Sequence, residues 1–256
     1  MNIKNSCIYA TVLLALGGTS VATAGDFTAN VGVANNYLWR GLTQTENAPA
    51  VSGGIDFATD VGFYAGTWVS NVSFGPADAF SYEHDLYLGF RGGETFTYDI
   101  GYLYYNYDTE ADYDFSEVYL ALGWQGLTLK ASVLAHSGRD EELDVEVPSV
   151  GPNVDYGFGS STYISLDYAF ALPKDVTLTA HVGTHQGDFA RSFNGFLTGS
   201  YEDYSLSISK TFGDGTFKFT VSDTNLTAAD QAGFATIANN NQSPKYVVSY
   251  TLVFDL

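Results

Sequence analysis

Apolar and polar side chains alternate along this chain in segments of about ten residues, repeated over almost its whole length. The last segment is the clearest. Tyr246, Val248, Tyr250, Leu252, Phe254 and Leu256 form an apolar parity, and Val247, Ser249, Thr251, Val253 and Asp255 form a mixed one. In a strand these parities face opposite ways, so the period predicts a ribbon with one greasy and one polar face. About twelve such segments follow one another. The first runs from Phe27 to Tyr37, with Phe27, Ala29, Val31 and Val33 opposed to Thr28, Asn30, Gly32 and Asn36. Others carry Val51, Ile55 and Phe57; Leu86, Leu88 and Phe90; Phe96, Tyr98, Ile100 and Tyr102; and Val118, Leu120, Leu122 and Trp124. The second half adds Leu127 to Val133, Ile164 to Phe170, Val176 to Val182, Tyr204 to Ile208 and Phe217 to Val221. The phase of Gly62–Ser70 is ambiguous.

The connections alternate too. Thr59-Asp60, Arg91–Thr95, Gln125-Gly126, Pro173–Asp175 and Gly213–Gly215 are tight and built from turn residues. Between them lie longer polar stretches: 41–49, 75–81, 108–114, 137–161, 187–203 and 224–244. Short turns at one end and long loops at the other are expected of an outer-membrane barrel. The fold class that follows is all-β: a transmembrane up-and-down antiparallel β-barrel of about twelve strands, with both termini periplasmic. A soluble periplasmic sandwich has no reason to segregate its loops in this way.

Composition sharpens the picture. Lys4, the apolar run Cys7–Leu16 and the small-x-small triplet Ala22-Thr23-Ala24 read as a secretory signal peptide over 1–24, leaving residues 25–256 as one barrel domain. No other stretch is long enough for a spanning helix, so a membrane-embedded chain has to close a barrel. The one cysteine, Cys7, falls in the segment to be removed, which excludes disulfides and thiolate-bound metal. The net charge is -19, with only 10 Lys and Arg, which argues against nucleic acid. Charged residues are 15% and aromatics 16% of the chain, a balance suited to a wall in lipid.

Several blocks resemble one known family. Asn36–Thr45 followed by Pro49 is similar to its opening strand and first loop, and Gly62–Asn71 to its next block. Asp85–Gly89, Asp99–Tyr107 and Ser222–Asn225 follow in the expected order. The family is that of the TorF-type porins of proteobacteria, catalogued as proteins of unknown function. The resemblance covers nearly all of residues 25–256 and implies an outer-membrane barrel. It implies no substrate and no catalytic residue, and 137–161 is longer than the usual family loop.

Parity gives the candidate pore-lining residues: Arg40, Asp56, Glu83, Asp85, Asp99, Tyr105, Glu117, Lys130, Asp167, His181 and Lys218. Arg40, where the first strand meets its outer loop, reads either as a selectivity charge or as one half of an ion pair that fixes packing. Inward acids, with Asp255 among them, outnumber Arg40, Arg91, Lys130 and Lys218, and Glu141, Glu142, Asp144 and Glu146 add negative charge at the mouth. That balance suits a weak preference for cations or neutral solutes; alternatively the acids solvate the loops or hold divalent ions that bridge lipopolysaccharide. The loop acids lack EF-hand spacing. His181 and His185 share a face but stand roughly 13 Å apart along a strand, too far for one metal. His136 and Ser137 face opposite ways, and neither H-E-x-x-H nor G-x-S-x-G occurs, so no enzyme activity, metal or cofactor is expected. Trp39, Trp124, Tyr98, Tyr168, Tyr204 and Tyr246 suit interfacial girdles, and Tyr105 and Tyr107 have inward parity, for packing or for stacking on sugars.

The function expected is a porin-like channel for passive passage of small hydrophilic solutes. The alternative is a non-conducting structural or surface-binding barrel. The expected partners are outer-membrane lipid, lipopolysaccharide and small hydrophilic solutes, in a Gram-negative outer membrane reached through the general secretory pathway. About twelve strands enclose a lumen between filled and wide, so it is expected to be either narrow or plugged by a folded-in loop, with 137–161 and 224–244 as the candidate plugs. No strand face differs enough from the rest to imply an oligomeric state.

Overall fold

The computed structural model describes residues 25–74, 81–107, 114–138, 155–193, 199–227, 230 and 241–256; residues 1–24, expected to be a signal peptide, the acids 141–146 and the middles of several long loops lie outside them. In chain order the elements are β1 (Asp26–Ala34), β2 (Leu38–Trp39), β3 (Leu42–Thr43), β4 (Ala50–Ala58), β5 (Phe63–Asn71), β6 (Tyr82–Gly92), β7 (Phe96–Tyr107), β8 (Phe115–Trp124), β9 (Leu127–Ser137), β10 (Ser161–Leu172), β11 (Val176–Gly187), α1 (Asp188–Phe193), β12 (Ser200–Phe212), β13 (Gly215–Thr224) and β14 (Lys245–Asp255). Twelve strands close an antiparallel barrel in which each pairs with its sequence neighbour and β1 pairs with β14. The seam is continuous from Thr28 opposite Asp255 to Ala34 opposite Ser249. Closure leaves no free edge, the condition for exposing strands to a medium that cannot hydrogen-bond. Among the described residues no helix is long and apolar enough to cross a membrane.

The period-two alternation sorts as expected. Val31, Leu88, Ile100, Leu120, Leu166 and Leu206 are exposed on the outer face, while Thr28, Asn30, Asp85, Asp99, Ser165 and Ser207 are buried inside. The ambiguous strand resolves with Tyr64, Trp68 and Ser70 buried on the inner face and Val69 outside. At the short-turn end, outer-face rings pair across strands: Phe27 with Phe57, Phe63 with Phe90 and Phe96 with Trp124. Tyr204 and Tyr246 are exposed toward the long-loop end. These are girdle positions. Trp39 departs from the expectation: it is 3% exposed and lies inside the barrel.

Three local departures matter. β1 ends at Ala34, not Tyr37, and the chain then turns inward. A bulge between Ser116 and Glu117 leaves Glu117 opposite Leu134 and Ser116 opposite His136. The extra residue returns both Leu134 and Ser137 to the buried face and leaves His136 outside. α1 follows β11 directly, and its Phe189 packs on Phe115 with ring centroids 5.1 Å apart.

Candidate functional site: a divided lumen beside an inserted hairpin

The interior is divided lengthwise. Over β5 to β8 it is packed with aromatic side chains that carry hydroxyls to carboxylates. Tyr37 donates to Glu83 Oε1 at 2.7 Å and Tyr107 to Glu83 Oε2 at 2.8 Å. Tyr87 donates to Asp56 at 2.6 Å, and Tyr64 to Asp99 at 2.5 Å with Tyr119 beside it. Inward glycines make this possible. A Cβ on Gly66 would stand 2.6 Å from the Tyr87 ring, one on Gly89 2.5 Å from the Tyr64 hydroxyl and one on Gly101 2.5 Å from the Tyr119 hydroxyl. Each is the direct cross-strand partner of the tyrosine that covers it. The glycine therefore trades its side chain for a ring laid flat on the wall. Asp85 is buried here with its Oδ1 unpartnered among the described residues.

The upper lumen is occupied by the segment between β1 and β4. β2 and β3 form a hairpin in which Trp39 faces Leu42. Arg40 and Gly41 make its turn, both with positive φ (49° and 78°), as in the tight hairpin turns that usually take Asn-Gly. An arginine there costs about 1 kcal/mol or more of backbone strain, offset by what its side chain does. Its Nη2 donates to both Glu117 oxygens, at 2.7 and 2.6 Å. Its guanidinium lies between the Trp39 and Tyr163 rings, 4.3 and 4.2 Å from their centroids. Nη1 donates to His185 Nε2 at 3.0 Å, so that nitrogen accepts and the proton sits on Nδ1. Burial opposes the charge on Arg40, but the Glu117 carboxylate more than offsets it and keeps the guanidinium above its ordinary pKa. Burial, reinforced by the Glu83 charge, likewise pushes the Tyr37 phenol well up. The tip presses the far wall: a Cβ on Gly41 would meet Asp203 Cβ at 2.7 Å and Thr224 Cγ2 at 2.8 Å. Thr43 N donates to Asn241 Oδ1 at 3.0 Å, and Tyr201 donates to the Arg40 carbonyl at 3.1 Å.

Among the described residues the inserted segment is the first loop; the middles of 137–161 and 224–244, the candidates named from loop length, lie outside them. The described flanks of those two support it. Tyr156 joins the aromatic cluster, and Leu226 packs with Leu42 and Tyr201. A short two-stranded turn can pair internally and carry its own ladder bonds into the lumen, which a long polar loop has to do without.

Beside the hairpin, along β9 to β14 and round to β1, runs a cavity of ≈ 450 Å³. About half of its wall residues bear hydroxyls, with Ser165, Thr179, Ser205, Ser207, Thr220 and Ser249 among them. Of the inward set named from parity, Arg40, Tyr105, Lys130, Asp167, His181 and Lys218 line it. Asp56, Glu83, Asp85, Asp99 and Glu117 point inward but lie off it, in the packed side or under Arg40. The surplus of inward acids therefore does not describe the cavity. Tyr105 and Tyr107, with 1% and 4% exposure, are packing residues rather than an open stacking track. His181 is clamped between two carboxylates, Nδ1 to Asp167 at 2.7 Å and Nε2 to Asp203 at 2.8 Å. Asp203 and Tyr163, which donates to it at 3.0 Å, are cavity residues that the parity reading missed. Both sit near strand ends, where phase is hardest to assign; a Cβ on the inward Gly183 would stand 2.1 Å from the Tyr163 hydroxyl, so the ring lies over this glycine.

The geometry has counterparts. A family model described as "Bacterial protein of unknown function (Gcw_chp)" matches residues 18–256. The chain belongs to that family. No curated protein matches it. Among solved structures, the NanC porin shares 10% identity with a TM-score of 0.55, covering 90% of this chain and 100% of that one. The KdgM porin shares 9% identity with a TM-score of 0.54, covering 89% and 99%. A second KdgM structure, described as in complex with disordered oligogalacturonate, gives a TM-score of 0.52 at 9% identity, covering 90% and 99%. At such identity the likeness is one of fold: the Gcw_chp chain closes a barrel of the same kind, and its inner surface is its own.

Proposed function

We propose that this Gcw_chp protein is an outer-membrane channel of the TorF type in a Gram-negative bacterium, exported through the general secretory pathway, that lets small hydrophilic solutes pass without energy input. The observation that carries the reading is the hydroxyl-lined cavity beside the hairpin, inside a closed barrel whose outer face is apolar. Serine and threonine replace part of a solute's hydration shell, while the hairpin narrows the path on one side. Such a wall suits small hydroxylated solutes. A leaning toward cations needs carboxylates open to the solute, and the two in this wall, Asp167 and Asp203, are engaged by His181. The outer face meets lipid, and the polar long-loop end meets lipopolysaccharide.

Planar-bilayer recording tests this. Discrete conductance steps are expected from the wild type, and larger ones from Arg40→Ala, which releases the hairpin. Silence from both refutes the channel. A non-conducting barrel is the second reading, favoured by one feature: the hairpin is fastened at Glu117, His185, Asn241 and Tyr201 at once.

A further inference from the structure

The charges that line the cavity are not equally free to take a partner. Asp203 receives Tyr163 at both oxygens, at 3.2 and 3.0 Å, and His181 at Oδ1. Asp167 gives Oδ1 to His181 and buries Oδ2 away from solvent, out of a solute's reach. Arg40 is spent on Glu117. The lysines differ. Neither Lys130 nor Lys218 has a carboxylate within ion-pair distance among the described residues, and both line the cavity. Lys130 rests over the Tyr119 ring at 4.2 Å. Lys218 stands in the serine and threonine wall: its cross-strand neighbours are Ser209 on β12 and Ser249 on β14.

An ammonium with no counter-ion, among hydroxyls in a confined polar space, is a half-made anion site. Resting on the channel reading, we infer that Lys218 binds the acidic group of a monosaccharide-sized sugar acid while the neighbouring serines and threonines bond its hydroxyls. What selects is the one kind of charge left unengaged, not the total charge of the lumen.

The test uses the purified full-length barrel in detergent, titrated calorimetrically with D-glucuronate and with D-glucose, which differ only at the carboxylate. Glucuronate is expected to bind at least tenfold tighter. Lys218→Gln is expected to lose at least tenfold of that affinity, and Lys218→Arg to keep most of it. Equal binding of the two sugars, or undiminished glucuronate binding by Lys218→Gln, overturns the inference. If Lys218→Gln loses heat-modifiable gel migration and so has not folded, salt decides on the wild type. Glucuronate binding should weaken several-fold between low and high ionic strength while glucose binding holds; no salt effect overturns the inference. Conductance recorded on the same preparation separates the two readings. Silent bilayers with selective binding refute the channel and leave the anion site standing. Conducting bilayers without discrimination between the sugars do the reverse.

Discussion

The two sides of the lumen are built from strands of the same period and pitch, yet they do opposite things. Along β5 to β8 the inward carboxylates Glu83 and Asp99 are met by phenols and Glu117 by a guanidinium, Asp85 alone among them keeping an oxygen unpartnered among the described residues, and glycines make room for the rings. Along β10 to β14 many of the inward side chains are short hydroxyls that reach only partway to the axis, and beside the larger Tyr163, His181 and Lys218 space remains. Inside a barrel of this diameter filling is a choice of side-chain volume, not a consequence of strand number. Tyrosine plus glycine closes a wall, and serine plus threonine leaves it open. The hairpin sits between the two, its tryptophan in the packed side and its turn against the open one.

The comparison is best broken where the sides meet. Arg40→Ala leaves Glu117 buried without its cation, and removing one partner of such a pair costs about 3–5 kcal/mol; a clear drop in the temperature at which heat-modifiable migration is lost should accompany the rise in conductance. Overfilling the packed side comes next. Gly66→Val or Gly101→Val drives a side chain into the Tyr87 or Tyr119 ring; overpacking of this kind costs about 1–3 kcal/mol, read from urea unfolding in detergent. Tyr87→Phe removes the hydroxyl that Asp56 accepts from, for a loss of about 1–3 kcal/mol in the same assay. The smallest stability effect belongs to the open side. Ser207→Phe adds a ring where the wall faces the cavity; stability should stay within about 0.5–1 kcal/mol of the wild type while single-channel conductance falls. If Ser207→Phe destabilises as much as Gly66→Val, the sides are not different and the division fails.

Much of this was legible beforehand. On the strands, Glu117, Lys130, Asp167, His181 and Lys218 lie on the inner face that their parity gives them. That follows because a one-residue step in a strand reverses the face, so parity is a local property. What parity does not contain is depth or company. Glu83 and Lys218 carry the same inward mark, yet one ends beneath two phenols and the other beside open space. Cross-strand glycine–tyrosine pairs such as Gly66 with Tyr87 were visible in the chain only to a reader who already knew the register. Arg40 was assigned to the continuing first strand; it reaches the lumen on a turn, because β1 stops at Ala34 and the next residues fold back.

The order of residues alone therefore determined a closed wall between an apolar and a polar medium, since each strand needs only its own alternation and its two neighbours to be satisfied. Which inward groups meet, which stay unengaged and which loop fills the centre were decided only by closure. Closing the cylinder brings β1 against β14, and the inserted hairpin sets Arg40 on Glu117 and His185, contacts that span the chain and leave no trace in its local period.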